Sequence, residues 1–160
     1  MNTVQELMKL VTTNKEKYYR VAFAYVKNRE DALDIVHNAI VKAIQKCGFL
    51  RKKEYLETWF YRILINESIA HIRKRDKILY FDESIMSQIE DEDSILDKII
   101  YMNLYSAVDK LSPELKTVII LRFFESMKIC DIADITSTNL NTTKARLYKA
   151  LKILKTYMEE

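Results

Sequence analysis

An all-α fold, in two small helical domains joined by an acidic linker, follows from three observations on this 160-residue chain. A single glycine, Gly48, and a single proline, Pro113, leave almost no turn residues for β-hairpins. Apolar residues recur at steps of three and four, the helical period, and not in alternation. The charges fall in blocks, basic around Arg51 to Lys53, Arg73 to Lys77 and Lys144 to Lys155, and acidic from Asp82 to Asp97. With 49% hydrophobic residues the chain can fill one or two compact cores. The formal net charge of +3 says little by itself, but the segregation of basic blocks points to an anionic partner.

The first helical stretch covers residues 3 to 27, as one helix or two abutting ones, with Leu7, Leu10, Val11, Tyr18, Val21, Ala22 and Tyr25 available for burial. Its polar start, MNTVQELMKLVTTNKEK, lacks the apolar core of a signal peptide, and no run of about 18 apolar residues occurs, so a soluble cytoplasmic protein without membrane insertion is expected. Asn28, with Asp31 three residues on, signals the start of a second stretch that runs to about Cys47. There Leu33, Val36, Ile40, Ala43 and Cys47 form the expected buried stripe, leaving Asp34, His37, Asn38, Val41 and Lys42 on the outer side.

Gly48 breaks that pattern, and GFLRKKEY forms a basic, aromatic-flanked loop into the helix Tyr55 to Lys77. In that helix Leu56, Trp59, Ile63 and Ala70 are expected to bury one stripe, while Arg62, Asn66 and Arg73 repeat on another. Rings at 55, 59, 60 and 61 can stack on unpaired bases, about 1–3 kcal/mol each, and the cations at 73, 74, 75 and 77 can neutralise phosphates. A bland alternative stands beside this, a core aromatic pair and a solvated basic helix end.

The acid-rich stretch ILYFDESIMSQIEDEDS has no sustained period and reads as a linker. Boundaries of 1–77, 78–95 and 96–160 follow. Ser94 with Asp97 restarts helical order, with Leu96, Ile100, Leu104, Val108 and Leu111 as its stripe. Ser112-Pro113-Glu114 then supplies a cap, a first-turn proline and an acid for the mostly buried ELKTVIILRFF. A short helix around Lys128 to Ile135, the polar turn TSTN and a basic helix from about Leu140 to Tyr157 complete a helix-turn-helix plan. In that plan Lys144 and Lys149 reach guanine acceptors, Tyr148 touches a thymine methyl, and Thr142, Thr143 and Arg146 hold backbone.

An enzyme is disfavoured. His37, His71, Cys47 and Cys130 are the candidate soft ligands, no H-x-x-x-H or C-x-x-C occurs, and one glycine cannot build a phosphate loop. No catalytic residue, metal site or cofactor is expected. The two cysteines read as small buried hydrophobes in a reducing compartment.

Taken together the halves resemble an extracytoplasmic-function (ECF) sigma factor carrying only the regions called 2 and 4. DALDIVHNAIVKAI is similar to the family's D-A-x-D-hydrophobic-V-Q-E-x-F-hydrophobic helix, and WFYRILIN to its W-L-Y-R-I-A-x-N signature. AVDKLSPELK resembles A-hydrophobic-x-x-L-x-P-E-hydrophobic-R, and DIADITSTNLNTTKARLYKA aligns without a gap to E-I-A-x-x-hydrophobic-G-x-x-x-G-T-V-K-S-R-L-x-R-A. The resemblance implies a non-enzymatic factor that binds core RNA polymerase, through its β′ clamp helices and β flap, and recognises promoter DNA through minus-35 and minus-10 elements. It implies that Asp34, His37, Asn38 and Lys42 face the clamp helices. By the same resemblance Phe49, Leu50, Arg51, Lys52, Lys53 and Tyr55, with Tyr61, Arg62, Asn66 and Arg73, serve the minus-10 element, some of them around a flipped base. Thr142, Thr143, Lys144, Ala145, Arg146, Tyr148 and Lys149 match the minus-35 positions. The linker would thread the polymerase channel, and an anti-sigma factor, often membrane-anchored in this family, would cover the same faces. A stand-alone helix-turn-helix regulator is the competing class, but it has no use for a melting helix.

Departures from the family pattern are specific. His37-Asn38 replaces Gln-Glu, Thr143 replaces Val, Ala145 replaces Ser and Lys149 replaces Arg. At the two turn glycines stand Ser137 and Asn141, of which only Asn141 is comfortable with left-handed backbone.

Overall fold

The Asn2 side chain accepts from the Gln5 N–H at 2.8 Å, and the Gln5 side chain accepts from the Asn2 N–H at 3.2 Å. This reciprocal cap opens α1 (Thr3–Thr13) in the computed structural model, which describes residues 2–81 and 106–159. Asn14 separates α1 from α2 (Lys15–Val26), so residues 3 to 27 form two abutting helices. α2 ends on Lys27 in the left-handed region (φ 54°). Asn28 then caps α3 (Arg29–Lys46) by accepting from the Asp31 N–H at 3.0 Å.

The buried stripe of α3 differs from the expected one. Ala32, Ile35, Val36, Ala39 and Ala43 face inward, Ile40 is half-buried, and Leu33 is 44% exposed. Three alanines on this face let α3 approach α2 and α4 closely, which turns Leu33 away. Two short 3₁₀ turns, Cys47–Phe49 and Lys53–Tyr55, lead into α4 (Leu56–Phe81). Gly48 has no positive φ and open space where a Cβ would sit, so the turn makes no demand for glycine.

α4 is rotated relative to the predicted stripe. Leu56, Phe60, Tyr61, Leu64, Ile65, Ser68 and Ile72 are buried, Trp59 and Ile63 are half-buried, and Ala70 is exposed. The reason lies on α2, where Tyr18 packs its ring against Phe60 at 4.7 Å and against Tyr61 edge-on at 5.2 Å. The helix also runs to Phe81, past the expected boundary at 77. The Ser94 cap, the stripe from Leu96 to Leu104 and most of the predicted linker lie outside the described residues.

After a helical segment at 106–109, α5 (Pro113–Ile119) begins as expected with Pro113 at its first position, although the Ser112 side chain makes no cap bond. It continues as a π-helical turn, Ile120–Phe124, followed by α6 (Ile129–Thr136) and α7 (Leu140–Glu159). Every regular element among the described residues is helical. The buried side chains of both halves form one continuous core, with α2 against the π-helical turn and α4 against α6. Between the halves the Tyr25 hydroxyl meets Thr117 Oγ1 at 2.5 Å in a fully buried contact.

Phe60→Ala is expected to cost about 3–5 kcal/mol of unfolding free energy, because its ring is fully enclosed. Phe49→Ala, at a side chain 85% exposed, is expected to stay within about 0.5 kcal/mol of the parent. Urea unfolding midpoints check both; equal losses would contradict the packing described.

Candidate nucleic-acid interface

Ser137 and Thr138 make the turn between α6 and α7. Ser137 takes the left-handed conformation (φ 56°), the Thr138 N–H donates to the Ala133 carbonyl at 3.0 Å, and the Ser137 N–H donates to the Asp134 carbonyl at 3.3 Å. These two bonds define a Schellman end, where glycine is usual because it has no Cβ to clash. The strain therefore falls on Ser137. Asn141 lies inside α7 without positive φ, so its tolerance of left-handed backbone is not used, contrary to expectation.

Asn139 starts α7 by accepting from the Thr142 N–H at 2.7 Å. Thr143, expected to hold DNA backbone, is fully buried. Its hydroxyl donates to the Asn139 carbonyl at 2.9 Å and meets Thr138 Oγ1 at 2.8 Å, and Thr138 in turn meets Thr136 Oγ1 at 3.0 Å. A ladder of three hydroxyls thus joins the helices, and Thr143 positions α7 from within. Thr142 and Arg146 are half-buried, while Lys144, Ala145, Tyr148 and Lys149 face outward, Tyr148 65% exposed. Leu147, Ala150 and Leu154 anchor the opposite side. Cys130 is exposed on the first turn of α6, unlike the buried Cys47, which corrects the expectation for one thiol.

The α3–α4 connection and the face of α4 make a second cluster. Phe49 and Tyr55 are 85% and 54% exposed, Arg51, Lys52 and Lys53 are exposed, and Leu50 is half-buried. Lys52 Nζ lies 5.9 Å from the Tyr55 ring centre, and Lys53 reaches Glu6 at 3.7 Å. Asn66 and Arg73 are exposed on α4. Tyr61 is 1% exposed, and burial pushes its phenol well above the usual range, so its ring is core and is not offered to a base. Phe60 likewise leaves the set of stacking rings, because Tyr18 packs against it, while Trp59 stays half-buried. Arg75 turns back to donate to the Val26 carbonyl at 3.1 Å.

Arg62 has an unforeseen partner. Its Nε donates to the carbonyls of Asp134 and Ile135 at 3.1 and 3.2 Å, and its Nη2 to that of Asp134 at 2.5 Å. These carbonyls belong to the last turn of α6, where a cation is favoured by the helix dipole.

On α3, Asp34, His37 and Asn38 are exposed, with Leu33, Val41 and Ile44 beside them at 44%, 39% and 41% exposure. Lys42 pairs with Glu67 of α4, and His71 lies 3.7 Å from Asp31, so these side chains tie α3 to α4. Among the described residues no three His, Cys, Asp or Glu side chains gather to hold a metal ion, and no helix is long and apolar enough to cross a membrane.

Family models for Sigma-70 region 2 and Sigma-70, region 4 match residues 10–78 and 101–154. The RNA polymerase sigma factor SigV of Bacillus subtilis (strain 168) is 42% identical over 151 residues, 93% of this chain and 89% of the relative. The chain belongs to the ECF sigma factors. The ECF RNA polymerase sigma factor SigW of the same organism is 24% identical across 94% of this chain and 88% of its own length. Among solved structures, the sigma factor RpoE in complex with the anti-sigma factor NepR from Bartonella quintana matches with a TM-score of 0.71, 20% identity and coverage of 97% of this chain and 98% of that one. CnrH in complex with the cytosolic domain of CnrY matches with a TM-score of 0.70, 17% identity and coverage of 97% and 88%. As an ECF sigma factor the protein directs promoter-specific initiation of transcription by RNA polymerase.

Within this sigma factor, the residues that sequence reasoning missed are those that hold α7 and Arg62 in place: Thr136, Thr138 and the carbonyls of Asp134 and Ile135. The TSTN turn was visible as polar, but only the folded backbone brings its hydroxyls into line. Thr138→Val, which keeps the shape and removes the middle hydroxyl, is expected to cost about 1 kcal/mol, with Thr138→Ser close to the parent. Thermal unfolding of the two variants checks this; equal stability of both would contradict the ladder.

Proposed function

We propose that residues 96–160 read the minus-35 duplex through α7, that 1–77 bind core polymerase and the minus-10 strand, and that 78–95 join them. The observation that carries this reading is the outer face of α7, where Lys144, Tyr148 and Lys149 project beside Ala145 from a helix-turn-helix, with Thr142 and Arg146 at its edge. Lysines there act as point charges toward guanine acceptors and phosphates, and Ala145 leaves room for close approach to a thymine methyl. Thr143 supports the reading by packing, not by contact.

For the minus-10 element, exposed Phe49 and Tyr55 supply ring faces for an unstacked base, and Arg51, Lys52, Lys53 and Arg73 supply charge. Asn66, and Arg62 once released from α6, extend that surface along α4. The α3 face supports a role in polymerase binding: Asp34, His37 and Asn38 surround exposed Leu33, Val41 and Ile44, a mixed surface suited to packing against helices such as the clamp helices. Lys42 contributes there from its pair with Glu67. The β flap would meet the second half. The similar sigma factors solved with anti-sigma proteins support a partner of that class, and the factor acts in the cytoplasm with no catalytic step of its own.

Run-off transcription of source-genome DNA by a cognate core enzyme, with and without the protein, tests the reading; new start sites sharing two upstream elements are the expected result. On a promoter mapped in this way, Lys144→Ala and Lys149→Ala are each expected to lower initiation about tenfold, the effect of one base contact. Unchanged initiation in both would remove α7 from the minus-35 role.

A further inference from the structure

We propose that Asn141, at the head of α7, reads an adenine of the minus-35 element through its side-chain amide and so sets the promoter preference of this chain at one base pair. The inference rests on the assignment of α7 to that element.

Asn141 is exposed and helical, two residues after the Asn139 cap. At about 100° per residue, Asn141, Ala145 and Tyr148 fall within about 60° of one another around the helix. Lys144 and Lys149 lie to either side of them, and buried Thr143, Leu147 and Ala150 lie opposite. The three therefore mark the middle of the outer face. From 141 to 148 they span about 10 Å of helix axis, the rise of about three base pairs. The N-terminal residues of the second helix in a helix-turn-helix are the ones that meet base edges, and Asn141 stands nearest that end.

The amide of Asn141 is also unengaged. Asparagine is a poor helix former because its side chain competes for nearby backbone groups. Asn2, Asn14, Asn28 and Asn139 use their side chains in that way, each with a bond to backbone of 2.7 to 3.0 Å. Asn141 makes no such bond, ion pair or ring contact among the described residues. Thr143 beyond it is taken up by the hydroxyl ladder. Within the chain, then, nothing local offsets the choice of asparagine at 141, and its amide points to solvent from the face that carries the lysines.

An amide sets an acceptor, Oδ1, beside a donor, Nδ2. Adenine shows the matching pair in the major groove: its N6 amino group donates to Oδ1 while its N7 accepts from Nδ2. Guanine offers two acceptors there and cytosine a donor alone, so each leaves half of the amide unpaired. Lys144 and Lys149 only donate and cannot make this distinction.

The test is initiation by the full chain with a cognate core enzyme on pooled templates in which each base pair of the mapped upstream element is varied, read as transcript counts per template. For the parent, an A·T pair at one position is expected to exceed its replacements about tenfold. Asn141→Ala, at an exposed helical site that alanine suits, is expected to erase the preference at that pair and keep the others. Asn141→Asp, which keeps the shape and exchanges the donor for a second acceptor, is expected to move the preference at the same pair from adenine to cytosine. An unchanged profile for Asn141→Ala overturns the proposal, as does an equal loss on every template, the mark of a phosphate contact. If Lys144→Ala and Lys149→Ala alter the profile while Asn141→Ala does not, this inference alone falls. If none of the three alters it, the assignment of α7 falls as well.

Discussion

The hydroxyl of Tyr25 sits fully enclosed between the halves, and its contact with Thr117 is the constraint on which the rest of the arrangement depends. Burial pushes the Tyr25 phenol up, so it stays protonated and needs a partner. Without one, a buried hydroxyl costs about 1–3 kcal/mol. Thr117 lies on α5, whose own hydroxyl bond to Pro113 helps define its direction. Once Tyr25 and Thr117 meet, α2 lies against the π-helical turn, Glu125 comes within reach of Arg20, and Asp109 within reach of Lys27. The core is then continuous across the two halves.

The helix-turn-helix shows how a departure from the usual turn residues is accommodated. Ser137 accepts a conformation that favours glycine, and the ladder from Thr136 through Thr138 to Thr143 links the two helices across that turn. A valine at 143 would pack but could not complete the ladder. The outward lysines of α7 are therefore presented by a turn held through side-chain hydroxyls and by Leu147, Ala150 and Leu154 beneath. The outer face of α3 makes the complementary point: alanines occupy the inner face, and the larger Leu33, Val41 and Ile44 are left exposed.

Several features were legible in the chain before any coordinates. Asn28 reads as a cap because its short side chain reaches a free N–H, Pro113 as a first-turn residue because it lacks one, and the 3.6 period as helix. The basic face of α7 and the exposure of Phe49 follow from composition and loop position. The rotation of α4 was not legible, since Trp59, Phe60 and Tyr61 are consecutive aromatics and any two could have been core. Tyr18 decides among them, and it lies 42 residues before Phe60 (60 − 18). Leu33 and Cys130 were misjudged for the same reason: burial depends on which neighbour arrives, not on residue type.

By itself, then, the sequence determined the helical class, the order of elements, most helix starts and the two family signatures, because these depend on local backbone chemistry and short-range spacing. Tertiary structure alone decided that Tyr61 and Thr143 support the surface from inside, and that Arg62 caps α6 across the halves. Those outcomes depend on contacts between residues up to 105 positions apart, as in the Arg20–Glu125 pair, and no local pattern encodes which distant partner is met.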